Sequence, residues 1–308
     1  MFVEGMQKTN SFCIKSDKDI EIKEFLLNEL KFSVRSISKM KREKLITVNG
    51  EYRKPSLKIK KGEIMEIKFN EDSSEFKPQN LHIKKLYEDF DLIVVDKPPF
   101  MVVHPTKSHF ENTLANHMMW NMQDSGEVYK IRFVNRLDMN TSGLVVVAKS
   151  AYSHHIMSQD MSENKVKKEY IAIVDGIVEK DSGTIDAPII RPSMDSITRE
   201  VDENGQRSIT HYEVLERLNN ATVLKLVLET GRTHQIRVHL KHIGHGIIGD
   251  ELYGSVDEEL INRQALHAYR LTFKQPRMRG EICVTSNLPE DMKKLIEKLG
   301  GCGEGYDY

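Results

Sequence analysis

The segment Asn135-Arg136-Leu137-Asp138-Met139-Asn140-Thr141-Ser142-Gly143 runs straight into an apolar strand, Leu144-Val145-Val146-Val147-Ala148. An Arg-x-Asp in a polar loop just ahead of a buried strand holds a carboxylate at the edge of a core. Such a carboxylate could act on a sugar, as in a glycoside hydrolase, although most of those enzymes use two carboxylates roughly 5–10 Å apart. It could equally form a structural ion pair over a turn, since Asp, Asn, Thr, Ser and Gly are turn formers. Spacing alone leans to the turn.

A second chemical feature is charge. Between Lys31 and Lys61 lie eleven basic residues, including Arg35, Lys39, Lys41, Arg42, Lys44, Arg53 and Lys54, against the two acids Glu43 and Glu51, a net +9. The whole chain of 308 residues carries 45 Lys+Arg and 46 Asp+Glu, a net charge of −1. A small basic segment on a neutral body reads as a phosphate-binding appendage; the alternative is a solvated charged face.

The elements that must hold these residues can be read from periodicity. Ile22–Leu30 carries apolar residues at helical spacing, and a second helix follows, opened by Ser33 or Ser36 as cap and carrying Ile37, Met40 and Leu45. Two alternating runs flank Asn49-Gly50, a hairpin turn signal. The polar stretch 71–80 is the expected linker, dividing residues 1–75 from 76–308, with few contacts crossing it. Beyond it, strands are expected at Leu92–Val95, Leu144–Ala148, Glu169–Val174, Ser208–Leu215 and Thr222–Glu229. Helices are expected at Thr113–Met122, Ala151–Ser162, Pro289–Leu299 and Thr233–Ile243, the last capped by Thr233 and ended by Gly244. That pattern is an α+β fold.

Composition narrows the class. The chain is 39% hydrophobic, yet no apolar run approaches the roughly 20 residues of a membrane helix. The N-terminal MFVEGMQKTNSFC has no apolar signal core, and three cysteines (Cys13, Cys283, Cys302) make no CxxC pair. A cytoplasmic protein without disulfides or a cysteine metal site is expected.

RLDMNTSGLVVVAKS (136–150) resembles the catalytic signature of the RluA-type pseudouridine synthases. Four further blocks follow the family's order: LYEDFDLIVVDKPPFMVVHP (86–105), KKEYIAIVDG (167–176), TGRTHQIRVHLKHIGHGIIGDELYG (230–254) and LHAYRLTF (266–273). The N-terminal segment is similar to the α-L RNA-binding motif. The resemblance implies a mixed, largely antiparallel sheet in an α+β catalytic domain at 76–308 and an α-L domain at 1–75. It implies an enzyme that isomerises uridines in structured RNA, ribosomal more than transfer RNA, with no cofactor or metal. Nothing demands more than a monomer.

By that resemblance Asp138 is the carboxylate that attacks the target nucleotide, and Arg237 is the cation that keeps it ionised. Tyr170 is the aromatic that stacks on uracil and helps move a proton. Arg136 fills the space of the flipped nucleotide, while Asn135, Thr141, Arg232, His234 and Gln235 contact substrate. Arg35, Lys39, Lys41, Arg42, Lys44, Arg53 and Lys54 contact RNA. Many members have His where this chain has Asn135, which cannot titrate near neutrality and is expected to shape the loop or touch RNA.

His234, His239, His242 and His245 fall within twelve residues, a density that also suits a metal. His234 points away from the i, i+3 pair His239 and His242, no acid or cysteine completes a set, and there is no HExxH. RNA contacts or helix-end packing are expected instead. A non-catalytic RNA-binding factor keeping this fold is the rival class; it would need no buried carboxylate beside RNA.

Overall fold

The computed structural model describes residues 2–69, 74–106 and 109–303. The N-terminal residues form β1 (Ser11–Lys15), β2 (Ile20–Glu21), α1 (Ile22–Asn28), α2 (Val34–Arg42), β3 (Ile46–Val48), β4 (Glu51–Tyr52), β5 (Lys58–Ile59) and β6 (Ile64–Lys68). Ser33 caps α2, accepting from the Ser36 amide. Asn49 and Gly50 both have positive φ, as a type I′ hairpin turn between β3 and β4 requires. The antiparallel sheet β1-β6-β3-β4 buries Phe12, Ile14, Ile46, Met65 and Ile67 against Ile22 and Leu26 of α1.

The rest of the chain adds β7 (Lys84–Glu88), β8 (Leu92–Lys97), α3 (Leu114–Ser125), β9 (Arg132–Phe133), β10 (Ser142–Ala148), α4 (Ala151–Ser162), β11 (Lys167–Asp175) and β12 (Ser182–Asp186). It continues with β13 (Ile189–Ile190), β14 (Glu200–Val201), β15 (Ile209–Arg217), β16 (Ala221–Leu228), α5 (Gln235–His242), β17 (Leu266–Lys274), β18 (Glu281–Thr285) and α6 (Glu290–Lys298). A ten-stranded sheet runs β12-β15-β16-β11-β17-β10-β8-β7, with β18 on β17 and β9 on β10. The β10–β17 pair is parallel and the other pairings of that sheet are antiparallel among the described residues, giving the mixed, largely antiparallel α+β fold.

Period-two alternation explains why the central strands are apolar throughout. Ile93, Val95, Val145 and Val147 face the core shared with α3, α5 and α6, while Leu92, Val94, Leu144 and Val146 face Met157 of α4. Gly143, at φ +112°, is where β10 meets β17: a Cβ there would stand 2.2 Å from the Ala268 carbonyl oxygen. Close pairing of these two strands needs glycine.

Two expectations need correction. Of the expected linker 71–80, residues 71–73 lie outside the described residues; contacts across it are not few. Tyr152 and Ile156 of α4 belong to the N-terminal core cluster. Buried Arg277 pairs with Asp91 at 2.9 Å, sits 4.1 Å from the Phe12 ring centroid and donates to the Lys8 and Ser11 carbonyls. Second, Thr233 does not cap α5. Gln235 Oε1 accepts from the Arg232 amide and the Thr230 hydroxyl, closing a turn that leaves His234 at the cap position with φ 58°.

Candidate active site

The loop between β9 and β10 is held from every side. Asn135 imitates a strand neighbour: its amide donates to the Leu144 carbonyl and accepts from the Val146 amide. Thr141 closes the turn by donating its amide to the Asp138 carbonyl, and Gln264 donates to its hydroxyl. Lys97, fully buried at the end of β8, gives its ammonium to the carbonyls of Pro98, Met101 and Met139 at 2.9–3.0 Å. Burial, reinforced by the charge of Arg263, pushes its pKa well below the usual lysine range. Asp138 and Asp96 pull the other way, and the three carbonyls match the three ammonium hydrogens. Arg263 donates to the Asn140 carbonyl and anchors on Asp291 of α6.

This frame presents Asp138, one quarter exposed, to Arg237 on the first turn of α5. Arg237 Nη1 donates to Asp138 Oδ2 at 3.0 Å. Its Nε and Nη2 donate to the two oxygens of Asp250 at 2.6 and 2.8 Å. Asp250 is wholly buried and also accepts from the amides of Leu252 and Tyr253. The Tyr253 ring lies under the guanidinium, 5.1 Å from its centre. Desolvation opposes the charge on Arg237, but hydrogen bonds and attraction from Asp250 outweigh it, with Asp138 adding to them, and raise its pKa.

His234 Nε2 stands 3.8 Å from Asp138 Oδ2, beyond hydrogen-bond reach. Its Nδ1 meets the Tyr253 hydroxyl at 2.9 Å, and that hydroxyl accepts from the Arg199 amide. Burial lowers the His234 pKa, with Arg237 and Arg199 adding to the effect and Asp138 opposing it. With a neutral ring, this network is satisfied when Tyr253 donates to Nδ1, which assigns the ring proton to Nε2, facing Asp138.

Tyr170 of β11 is buried, and lines with Asp138, Thr141 and Arg237 a recess of about 80 Å3. Desolvation, then the Asp138 charge, drives its pKa far up, so it is a neutral O–H donor. A larger cleft of about 560 Å3 adjoins it, lined by Arg136, Asp138, His104, Ile197, His234 and Gln264 among others. Arg136 and Arg232 are exposed, Arg136 bordering both spaces and Arg232 the recess. Asp138 borders both the recess and the cleft.

The remaining expected residues divide. Gln235 borders the recess, but its amide is saturated by Ile209, Thr210, Thr230 and Arg232, so it shapes the turn. Asn135 lines neither space, because β10 engages both ends of its amide. Arg35, Lys39, Lys41, Arg42, Lys44 and Lys54 are exposed. Arg53 is only partly exposed and pairs with Glu63 at 2.6 Å, an acid two residues beyond the basic stretch. His239, inside α5, bonds Thr210 and the Ala187 carbonyl, and His245, just past the end of α5, bonds the Asp175 carbonyl, so both rings are engaged in packing. Among the described residues no three His, Cys, Asp or Glu side chains gather as a metal would need.

Sequence reading missed Asp250, Lys97 and Arg263. Asp250 was within reach: it is an acid in an apolar, glycine-rich stretch, IIGDELYG, of a block already singled out. It is a second carboxylate near Asp138, but Arg237 stands between them and no surface of Asp250 is open to a substrate. Asp250 therefore cannot serve as the second acid of a glycoside hydrolase; the other acid lining the cleft with Asp138 is exposed Glu251.

The family model described as RNA pseudouridylate synthase matches residues 91–242, which include Asp138, Tyr170 and Arg237. The uncharacterized RNA pseudouridine synthase YlyB of Bacillus subtilis is 39% identical over 258 residues, covering 82% of this chain and 85% of that protein. Ribosomal large subunit pseudouridine synthase D of Pasteurella multocida is 37% identical over 273 residues, covering 83% and 84%. A solved structure, human RNA pseudouridylate synthase domain containing 1, superposes with a TM-score of 0.57 at 25% identity, over 73% of this chain and 97% of that one. Matching along most of both chains, and carrying an aspartate–arginine pair beside a cleft, this chain belongs to the RNA pseudouridylate synthase family and is an RNA pseudouridine synthase.

Proposed function

We propose that the chain converts uridines of ribosomal RNA to pseudouridine, with Asp138 as nucleophile and the target nucleotide flipped from its stack. The Asp138–Arg237–Asp250 chain of charges carries this reading. The reaction breaks the bond between uracil N1 and ribose C1′, turns the base and joins C5 to C1′. N1 gains a proton and C5 loses one, so no cofactor is consumed. Asp138 either adds to C1′ as N1 leaves or takes the 2′ proton to form a glycal; in both routes Arg237 Nη1, donating to Oδ2 at 3.0 Å, orients the carboxylate.

Neutral Tyr170 supplies an aromatic face for the detached uracil and an O–H to move a proton. Arg136, exposed beside the cleft, has a planar guanidinium that can stack in the gap a flipped base leaves. Ribosomal RNA is supported by the Pasteurella relative, whose name places it on the large subunit. Pseudouridines should be mapped in total RNA from cells with the gene, without it, and with Asp138→Asn. Ribosomal positions are expected to disappear in the last two. Loss confined to transfer RNA would overturn the ribosomal assignment, and unchanged maps the reading as a whole.

A further inference from the structure

Between the N-terminal residues and α4 lies a cavity of about 270 Å3 that the reaction above does not use. Its walls are aromatic: Phe32 and Phe69 come from the N-terminal side and Tyr152 from the first turn of α4. The rings of Phe32 and Phe69 lie 6.3 Å apart at 30°, and those of Phe32 and Tyr152 5.0 Å apart at 37°. Exposed Lys31, Lys39 and Lys68 also line it, and no acid does among the described residues.

An aromatic hollow bordered by cations matches one nucleotide: rings for the base, ammonium groups for its flanking phosphates. An apolar protein side chain would suit the rings but offer no charge to Lys31 and Lys68, which border them. The volume falls just below the roughly 300–1,000 Å3 of small-molecule sites, a size for one planar group rather than two stacked ones. We propose that this cavity is a subsite for a single unstacked nucleobase of the RNA, separate from the cleft at Asp138. Its walls come from both sides of the contact, so the subsite exists only while the N-terminal residues are docked on α4. The inference rests on RNA being what the chain binds.

Ala151, the exposed first residue of α4, lines the cavity, so Ala151→Phe puts a ring into it while every aromatic and lysine of its walls stays in the sequence. The probes are a ten-nucleotide single-stranded oligoriboadenylate carrying one 2-aminopurine and an abasic strand of equal length, titrated onto the full chain. Ala151→Phe should bind the base-bearing strand about five- to hundred-fold more weakly, the range one stacked base supplies. Affinity for the abasic strand should hold within about twofold. Ala151→Ser, which leaves the cavity open, should bind like wild type. Lys31→Gln and Lys68→Gln should weaken both strands and flatten the salt slope by about 0.7 per lost contact.

Unchanged binding of the base-bearing strand by Ala151→Phe overturns the subsite. So does an equal loss for both strands, or an Ala151-dependent affinity for an apolar peptide alone. Pseudouridine formation on ribosomal transcripts is measured in parallel. Conversion without base discrimination sinks only the subsite; discrimination without conversion sinks only the proposed function.

Discussion

Arg237 divides its guanidinium between two carboxylates: Nε and Nη2 hold buried Asp250, and Nη1 alone reaches Asp138. The bidentate half fixes the plane of the group, so the third nitrogen arrives at Asp138 with little freedom left. Asp250 is thereby a positioning residue for the proposed nucleophile.

Asp250→Asn places an amide where four N–H groups need acceptors and leaves Arg237 buried beside a neutral partner. Breaking such a pair costs about 3–5 kcal/mol of stability. Turnover should fall about hundredfold while KM changes little, because the charge is lost behind the substrate. Urea unfolding and single-turnover kinetics check both. Wild-type kcat would mean that Asp138 is oriented by the loop alone.

Asp138→Asn is nearly isosteric and should abolish pseudouridine formation with RNA affinity within about threefold of wild type. Arg237→Met should lose most turnover at neutral pH, with Lys restoring only part, since a point charge cannot serve both carboxylates. Tyr170→Phe keeps the ring, so binding should persist while the rate falls. Single-turnover assays on a ribosomal transcript measure all three. Unimpaired rates in the last two variants would remove Arg237 and Tyr170 from the reaction.

The loop and helix that meet at this site could be read before any coordinates, since Asp138 and Arg237 stand in contiguous motifs with regular elements beside them. Their supports could not. Lys97 ends an apolar strand as many lysines do, and only the fold brings it under the Met139 carbonyl. Arg263 and Asp291 are joined by a contact between a loop and a distant helix. The edge strands Lys84–Glu88, Ser182–Asp186 and Glu281–Thr285 escaped notice because they are short and largely polar, as edges tend to be. Arg53 looked like a phosphate ligand because Glu63, which claims it, lies just outside the basic run.

Lys97→Met removes the donor shared by three carbonyls, of which Met139 keeps the Met101 amide and those of Pro98 and Met101 lose their ammonium partner. An orphaned polar group costs about 1–3 kcal/mol, so a loss of about 3 kcal/mol is expected after partial relaxation. Met139 adjoins Asp138, so the loosened loop should also lower kcat about tenfold or more with RNA affinity unchanged. Denaturant titration with parallel kinetics decides it; a destabilised but fully active variant would confine Lys97 to folding.

His267, buried on β17, meets the Ser142 hydroxyl through Nδ1 at 2.9 Å, just where β10 leaves the Asp138 loop. Burial pushes its pKa down to about 4. An unfolded histidine titrates near 6.5, so acidification from there protonates the unfolded chain first and pulls the equilibrium towards it. This contribution is intact above about pH 6.5 and drains away as the pH falls towards 4. Between pH 7.5 and 5 it amounts to about 2 kcal/mol. His267→Gln should therefore show a smaller acid loss than wild type over that interval in urea titrations. Parallel losses would place the acid sensitivity on other groups.

Affinity and folding must be tested separately at the N-terminus, because the two are joined there. Deleting residues 1–75 strips Phe12 and two carbonyls from Arg277 and bares Tyr152 and Ile156. Exposing two such side chains costs roughly 1.5–3 kcal/mol each, a large share of the ~5–15 kcal/mol that holds a typical protein folded. The 76–308 fragment should melt well below the full chain and aggregate, and polar substitutions at Tyr152 and Ile156 should relieve the aggregation. Loss of RNA binding by the fragment would then say nothing about phosphates. Neutralising Arg35, Lys39, Lys41, Arg42, Lys44 and Lys54 to Gln in the full chain avoids the difficulty, since all six are exposed. Each phosphate contact contributes about 0.7–0.9 to the slope of log affinity against log salt. If about three to five of the six track the RNA, the slope should flatten by about 2–4, with the melting temperature unchanged. Conversion by this variant should persist at low salt, because Asp138, Tyr170 and Arg237 are untouched. An unchanged slope would make the basic stretch a solvated face, and RNA affinity would then have to come from the cleft itself.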